Sequence, residues 1–357
     1  MSNNQGFAPD GTPKGSRVWI DGCFDLFQYA NAQLLFAAKQ YGKRLIVGIQ
    51  NDDEMEDNKN IPFFDEVDRY RLISSLKWVD EIVEDVPFTT AISSLNQLDC
   101  DFCLITEPSM TNLNGENRQA EIAKTNRHKK IDVVDLLTEN ELIGRIILQN
   151  CTHHFNVKYL IEKKNVIESY AMKDSAPYTK IKIFSNNLFT QLAIGRNPRP
   201  TDKIVYVTGG FDVFNVSHLS LLENAAKLGD YLIVGLFSDE VINNECGSNF
   251  PVTNVLERLL TLASTKVVDE VVVDVPMEIT SQFLKILNVA VVVQGFKDDF
   301  VNYDEPRKMG IYTKVDYDSE VTTQSIVEKV VSLRHPSHHV TSKEIESYRN
   351  IPTNNQQ

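Results

Sequence analysis

The chain has 357 residues, of which 42% are hydrophobic and 24% charged, which is ordinary for a globular protein and enough for two domains of about 150 residues. Its formal net charge of −13 excludes general nucleic-acid binding, which needs clustered Lys and Arg, but not small anions held by a few local cations. A polar N-terminus, five scattered cysteines and the lack of an apolar run near 20 residues predict a cytoplasmic protein without a signal peptide, disulfide framework or transmembrane segment.

Taken in chain order, residues 1–16 predict a disordered tail, and apolar runs then alternate with helical patterns. Asp65 and Thr138 are the predicted N-caps of two helices, and Glu141 completes a capping box with Thr138. Nearly unbroken apolar strands are typical of a parallel sheet covered on both faces. The first half therefore predicts strands at 18–20, 45–49, 81–83 and 102–105, and helices at 27–41, 65–76 and 138–148.

This pattern occurs twice. The strand, turn and helix start at 18–27 return at 205–214, displaced by 187 positions, and the turn carries Phe-Asp in both copies. Two further blocks recur in the same order, which indicates a duplicated α/β domain with mostly parallel, doubly wound sheets. The predicted division is a tail at 1–16, a first domain at 17–150, a linker at 151–203, a second domain at 204–334 and a C-terminal tail at 335–357.

The repeated turn predicts a phosphate site. A buried strand that ends in a Gly-containing turn and leads directly into a helix points backbone N–H groups and a helix N-terminus at one spot. The alternative is that the glycine serves only to permit the turn. This alternative would suit a single copy of the motif, but it is less favoured for a motif that occurs twice. Cys100 and Cys103 form a CxxC motif in an apolar stretch, for which a buried structural role is favoured over a metal site. A solvated tail is favoured over a metal site for His335, His338 and His339.

Several motifs carry a family resemblance. The sequence resembles the ethanolamine-phosphate cytidylyltransferases over about 18–150 and 204–334, which implies two tandem Rossmann-like nucleotidyltransferase domains. In the first copy the matching motifs are Asp21-Gly22-Cys23-Phe24-Asp25, Lys59-Asn60-Ile61-Pro62, Asp68-Arg69-Tyr70 and Lys77-Trp78-Val79-Asp80-Glu81. In the second they are Gly210-Phe211-Asp212, Asn249-Phe250-Pro251, Leu256-Glu257-Arg258, Glu305-Pro306-Arg307 and Thr322-Thr323.

The resemblance implies a reaction and its residues. CTP and phosphoethanolamine would give CDP-ethanolamine and pyrophosphate, with Mg²⁺ as cofactor and no metal ligand assigned to the protein. His218 and Lys59 are the predicted catalytic residues, and Asp21, Asp25 and Arg69 the predicted substrate-binding residues. The predicted nucleotide-binding residues are Gly22, Cys23, Phe24, Gln28, Asn31, Gly210, Phe211, Asn215, Gln294, Gly295, Thr322 and Thr323. Structural alternatives remain open: a satisfied histidine at 218, an isolated lysine at 59, a turn cap at Asp25 and an ion pair at Arg69.

The sequence departs from the family at the catalytic motif. The HxGH position reads Gln28-Tyr29-Ala30-Asn31 in the first copy and Asn215-Val216-Ser217-His218 in the second. The first copy also reads Thr138-Glu139-Asn140 at the Ser/Thr-Thr position, Val133 at the arginine position and Thr106-Glu107-Pro108 at the His-Gly element. The second copy has Cys246 at the lysine position and reads Gln294-Gly295 at the His-Gly element, but its Thr322-Thr323 is intact. Because Gln and Asn cannot carry the charge of a protonated imidazole, the second pocket keeps more phosphate chemistry than the first.

Three functions remain open at this stage. The first is cytidylyltransferase activity in phosphatidylethanolamine synthesis, weakened or lost by the missing histidines. The second is a non-catalytic relative that binds nucleotide or regulates an active paralogue. The third is nucleotidyl transfer with another acceptor or nucleotide. A homodimer and a pair with an active paralogue are the two assemblies considered.

Overall fold

A computed structural model describes residues 7–58, 61–106, 120–131, 137–174, 176–295, 301–316 and 321–334. The chain divides into two compact units, Met1–Leu137 and Thr138–Gln357. The sequence predicts the boundary between domain and linker at 150. In the structure the boundary falls before Thr138, and the helix that follows Thr138 belongs to the second unit.

The first unit is a five-stranded parallel sheet in the order β3-β2-β1-β4-β5. The predicted strands and the first two predicted helices are present, and Asp65 caps α3 by accepting a hydrogen bond from the Asp68 amide at 2.8 Å. Its elements are β1 (Gly15–Gly22), α1 (Tyr29–Lys39), β2 (Gly42–Ile49), α2 (Asp52–Asp57), α3 (Glu66–Ser74), β3 (Glu81–Val83), α4 (Ile92–Gln97), β4 (Phe102–Ile105), α5 (Ala120–Ala123) and β5 (His128–Lys130).

The second unit has seven strands in its main sheet, in the order β14-β13-β10-β11-β12-β8-β9. The five strands β12-β11-β10-β13-β14 repeat the order of the first sheet, which confirms the predicted α/β duplication. Its elements are α6 (Glu139–Leu148), α7 (Tyr159–Glu162), α8 (Lys164–Tyr170), β6 (Met172–Lys173), β7 (Ala176–Pro177), β8 (Lys180–Ser185), β9 (Leu188–Ala193), β10 (Ile204–Gly209), α9 (Val216–Ala226), β11 (Tyr231–Leu236), α10 (Asp239–Cys246), α11 (Val255–Ser264), β12 (Glu270–Val273), α12 (Ser281–Ile286), β13 (Val291–Gln294), α13 (Asp304–Lys308), β14 (Tyr312–Lys314) and α14 (Thr323–Arg334).

The segment 151–203, which was expected to be a linker, extends the second sheet. Strand β8 pairs in parallel with β12, and β9 pairs antiparallel with β8. Ile181 and Ile183 point into the core, and Lys182 forms an ion pair with the buried Glu270 at 2.7 Å. The linker expectation is therefore wrong for this hairpin, because its alternating lysines face a buried carboxylate.

Two further expectations concern the tail and the cysteines. Residues 7–16 were expected to be disordered, but Phe7 and Pro13 form an antiparallel bridge and β1 begins at Gly15, while the predicted C-terminal tail lies outside the described residues. Cys100 and Cys103 are buried in the apolar core with Trp19, as a structural role requires. Among the described residues, no helix is long and apolar enough to cross a membrane.

Candidate functional site

The turn after the first strand of each repeat has the same strained backbone. In the second repeat, Phe211 and Val213 have φ values of 51° and 44°, and in the first, Phe24 and Leu26 have φ values of 53° and 42°. A positive φ in a residue other than glycine costs on the order of 1–3 kcal/mol and persists only where its surroundings enforce it. Both angles recur, so the two turns share one backbone conformation.

A buried aspartate in each turn supplies part of that enforcement. Asp212 accepts hydrogen bonds from the backbone amides of Val213 (3.0 Å), Val252 and Thr253 (both 2.8 Å), and from the Thr253 hydroxyl (2.6 Å). Asp25 makes the corresponding bonds to the amides of Leu26, Phe63 and Phe64 at 2.6–2.9 Å. Burial raises the pKa of both carboxyls, while these donors act in the opposite direction. Asp25 therefore joins two loops, so its predicted substrate contact depends on the family resemblance alone.

A fully buried arginine completes the same framework. Arg258 donates to the Gly210 carbonyl (2.7 Å), to the Thr253 carbonyl (3.0 Å) and to the Asp239 carboxylate (2.7 Å). The equivalent Arg69 donates to the carbonyls of Cys23 and Gln50, both at 2.7 Å. Since every nitrogen of the Arg69 guanidinium has a protein partner, the structure places this predicted substrate-binding residue in the framework under the turn.

The acidic partners of these arginines were missed in the sequence. Arg69 pairs with Asp52 at 2.7 Å, and Arg258 pairs with Asp239 at 2.7 Å. The two aspartates stand 187 positions apart, the same displacement as the repeated turns, and each opens the helix after the second strand. That displacement was a signal from which the pair could have been identified.

The start of α9 positions the one histidine that remains from the two motifs. Asn215 caps the helix, with its Oδ1 accepting from the amides of Ser217 and His218, while its Nδ2 donates to the Val213 carbonyl. The His218 ring lies near Phe211 and Phe214, at centroid distances of 5.5 Å and 5.7 Å. Burial lowers the pKa of His218 to about 4, and its Nδ1 has no hydrogen-bond partner among the described residues. His218 is thus neutral at pH 7, with a buried Nδ1 that no described residue satisfies.

The start of α14 lies against the same turn. The Thr323 hydroxyl donates to the Asp212 carbonyl at 2.7 Å, and Thr322 shares reciprocal backbone and hydroxyl hydrogen bonds with Ser325. Gln294 ends β13 and accepts from the Tyr312 hydroxyl at 2.6 Å, and the next residue, Gly295, is buried. The first turn of α9 and the first turn of α14 therefore both contact the turn at residues 211–214 of the second repeat.

In the first repeat, different side chains surround the equivalent turn. Asn31 accepts from the Gln28 amide at 3.0 Å, so the residue at the second histidine position serves the start of its own helix. Asp21, at 8% exposure, accepts from the Thr90 hydroxyl at 2.6 Å. The Gly22 carbonyl accepts from the Gln50 amide, and a Cβ at Gly22 would lie 3.0 Å from the Phe24 ring, so a side chain at this position would press on that ring.

Other predicted positions lie outside the described residues: Lys59, Glu107, Pro108 and Val133, together with the three tail histidines. Thr138 caps α6 in the predicted capping box, with the Glu141 amide donating to its hydroxyl at 3.2 Å. Within the described ranges, no group of three or more His, Cys, Asp or Glu side chains could hold a metal ion.

The two tandem sheets share the parallel strand order 3-2-1-4-5 and the same strand–turn–helix geometry, which defines the doubly wound class of α/β proteins. Residues 19–177 and 206–348 match the family described as "Cytidylyltransferase-like". The chain belongs to this cytidylyltransferase-like family.

Its relatives within the family include proteins named ethanolamine-phosphate cytidylyltransferase. The chain is 35% identical to the one from Dictyostelium discoideum over 90% of this chain and 92% of the relative. It is 29% identical to the Mus musculus protein over 89% and 86% of the two chains, and 27% identical to the Arabidopsis thaliana protein over 89% and 81%. The likeness thus extends across both repeats.

Proposed function

We propose that this chain is a CTP:phosphoethanolamine cytidylyltransferase-type protein that binds CTP in the second repeat and has a low catalytic rate. The observation that carries the proposal is the contact of α14 with the turn, where Thr323 meets Asp212 beside the one motif histidine, His218. The relatives' names supply the substrates, and the geometry of the second repeat supplies the choice of pocket.

In this reaction a phosphate oxygen of phosphoethanolamine attacks the α-phosphorus of CTP in line. The bond from that phosphorus to the bridging oxygen breaks, and the electron pair leaves with pyrophosphate. The chain's contribution is positioning and electrostatic stabilisation. The N-termini of α9 and α14 favour phosphate oxygens, the two threonine hydroxyls can turn toward them, and the half-buried His218 ring can donate a hydrogen bond from a protonated ring nitrogen.

Mg²⁺ is proposed to enter with the triphosphate. Because the described residues hold no carboxylate or histidine cluster suited to a metal ion, the phosphates of CTP would provide most of the ligands of Mg²⁺. The Asp212 carboxylate already accepts four hydrogen bonds from its own chain, so it is poorly suited to act as a metal ligand.

The test is CDP-ethanolamine formation from CTP, phosphoethanolamine and Mg²⁺ by protein purified free of host enzyme. We expect His218→Ala to lower kcat/KM by about two to three orders of magnitude, the cost of removing one donor to transition-state charge. The matched control is His128→Ala, a histidine of β5 whose Nδ1 contacts the Thr125 carbonyl, and it should leave turnover unchanged. Equal turnover in the parent and in His218→Ala would contradict a catalytic second repeat.

A non-catalytic relative is the second candidate. It is favoured by the caps: Asn215 and Asn31 use their side chains on their own helix starts, so neither is presented to a phosphate. A folded protein that CTP stabilises in a thermal-shift assay, but that forms no CDP-ethanolamine, would establish this function. Stabilisation by another nucleotide triphosphate in the same assay would indicate transfer from a different nucleotide. The cytoplasmic location and the two assemblies, homodimer and paralogue pair, stay predictions.

A further inference from the structure

The second unit contains a cavity that the proposed reaction does not use. It has a volume of about 400 Å³, within the usual range of small-molecule sites. It lies at the carboxyl ends of β11, β12 and β8, where ligands of open α/β sheets bind. Its walls come from residues 155–158 and Ile161, the β8–β9 hairpin, the start of α10 and Asp274 after β12, so none of them belongs to the turn, α9 or α14. We refer to it as the hairpin cavity.

The hairpin cavity carries separated charges of both signs. Lys158 and Glu240 both line it, yet neither forms a salt bridge with the other or with any residue in the described ranges. Asp274 also lines it, as does Ser238. Burial, opposed by the Ser238 hydroxyl and reinforced by the charge of Glu240, raises the pKa of Asp274. The wall thus carries two carboxyl groups, Glu240 and Asp274, and one ammonium group, Lys158, that is not paired with them. A ligand with both a cationic and an anionic group would complement these side chains.

We propose that the hairpin cavity binds a small zwitterion, with its ammonium group at Asp274 and Glu240 and its anionic group at Lys158. Ser185, Thr190 and Ser238 supply hydroxyls for the polar part of the ligand, and Phe155 and Ile183 supply an apolar wall for a short carbon chain. A divalent cation alone would leave Lys158 unmatched, and a simple anion would meet two carboxylates. The same chemistry occurs in an aminoalkyl phosphate and in an α-amino acid.

The first repeat provides a built-in comparison. Asp85 occupies the position equivalent to Asp274, 189 residues earlier, and both residues have a positive φ, 57° and 65°. Asp85 lines a smaller cavity of about 190 Å³, and no lysine is among the residues that line it. The first sheet ends at β3 in the described residues, with no counterpart of the β8–β9 hairpin. The proposed site is therefore specific to the second repeat.

The experiment is calorimetric titration of the full chain with phosphoethanolamine, with glycine and, as single-charge probes, with ethanolamine and inorganic phosphate. We expect at least one zwitterion to bind, and to bind about tenfold or more tighter than either single-charge probe, since losing one charge-assisted hydrogen bond has about that effect. The phosphoethanolamine and glycine arms distinguish the two sources of the zwitterion. Absence of binding by both, or equal binding by ethanolamine or phosphate, would overturn the proposal.

Variants locate the binding. Asp274→Asn removes the charge and keeps a residue that tolerates positive φ, so it should fold and weaken zwitterion binding about tenfold or more. Thr190→Trp fills the cavity from the exposed strand β9 and should abolish binding. The control Asp85→Asn makes the same change at the equivalent position of the first repeat and should leave binding unchanged. Equal affinity in the parent, Asp274→Asn and Thr190→Trp would place the ligand elsewhere and overturn the proposal, whatever the turnover assay shows.

Discussion

At the scale of single residues, two histidines of the second unit are kept neutral by burial. His153 is 8% exposed, and its Nε2 lies 2.8 Å from the Pro251 carbonyl, which can only accept, so this nitrogen carries the hydrogen. Burial lowers the pKa of His153 to about 4, as it does that of His218. Both rings lie on the second unit, so their titration affects the stability of the framework that holds the candidate site.

The sign of the resulting pH dependence follows from proton counting. Between the unfolded pKa of 6.5 and the folded value of about 4, the unfolded chain binds a proton that the folded chain does not. The free energy of unfolding therefore falls as the pH is lowered through this window, by about 1.4 kcal/mol per pH unit for each such histidine. We expect His153→Gln, whose amide can still donate to Pro251, to flatten this dependence in urea titrations followed by circular dichroism. Parent and variant should have matching slopes above pH 6.5; matching slopes below it would contradict the assignment.

At the scale of elements, the two turns are supported by equivalent arginine–aspartate pairs, but these pairs differ in their exposure to solvent. Arg69 and Arg258 are both inaccessible to solvent, whereas the side chain of Asp52 is 31% exposed and that of Asp239 is 2% exposed. Asp239 also accepts a hydrogen bond from the Phe155 amide at 2.8 Å. An unpaired carboxylate is costly only where water cannot reach it. The same arginine substitution should therefore have unequal effects in the two repeats.

We expect Arg258→Met to lower the free energy of unfolding of the second unit by about 3–5 kcal/mol, because it leaves the Asp239 carboxylate buried and unpaired. Arg69→Met should cost the first unit less, since water can solvate Asp52. Both tryptophans, Trp19 and Trp78, lie in the first unit, so tryptophan fluorescence in urea reports that unit and circular dichroism reports both. Adding Asp239→Asn to Arg258→Met should restore part of the loss. Equal losses for the two arginine variants would contradict this account.

The elements also show what the sequence could predict. Strands β1, β2 and β4 were found because strands buried on both faces are continuous apolar runs. Strand β8 was missed because Lys180 and Lys182 alternate with Ile181 and Ile183, although this period of two was itself a signal of a half-buried strand. The short strand β5, His-Lys-Lys, carries almost no apolar signal and is defined only by its pairing with β4.

For the site, the sequence identified residue types but not their partners. The turn, His218 and Thr323 were found from repetition and resemblance, and the structure brings all three around Asp212. The sequence left Asp25 open between substrate binding and a turn cap, and Arg69 between substrate binding and an ion pair, because many of their partners are backbone groups 19–46 residues away in sequence. Because every residue carries a backbone carbonyl and nearly every one an amide, residue types do not indicate which of these groups is a partner. Such contacts are therefore found only from the folded structure.

At the scale of the whole molecule, the family repeats and the compact units do not end at the same residue. The first family match runs through α6 to residue 177, but α6 belongs to the second compact unit. There, Arg145 forms a bidentate ion pair with Glu257 at 2.8 Å and 3.0 Å, and its carbonyl accepts from the Asn249 side chain at 2.7 Å. Helix α6 also packs on α14, its counterpart in the second repeat. The final helix of one repeat thus contributes to the core of the other.

This exchange predicts where the chain can be divided. A fragment of residues 138–357 keeps α6, whereas one of residues 151–357 removes Arg145 and leaves Glu257, whose pKa burial raises, without its cation. We expect the shorter fragment to be less stable by at least the 3–5 kcal/mol that an unpaired buried charge costs, because the apolar face of Leu142, Ile143 and Ile146 is also lost. Urea unfolding followed by circular dichroism measures the difference.

Arg145→Met within the 138–357 fragment separates the two contributions. It removes the ion pair and retains the apolar face of α6, so its stability should lie between those of the two fragments. If residues 151–357 unfold at the same urea concentration as residues 138–357, α6 contributes nothing to the second unit and the boundary belongs at 150. A large loss on truncation with a small one for Arg145→Met would instead assign the stabilisation to apolar packing, because the charge pair would then be replaceable by a side chain of similar volume.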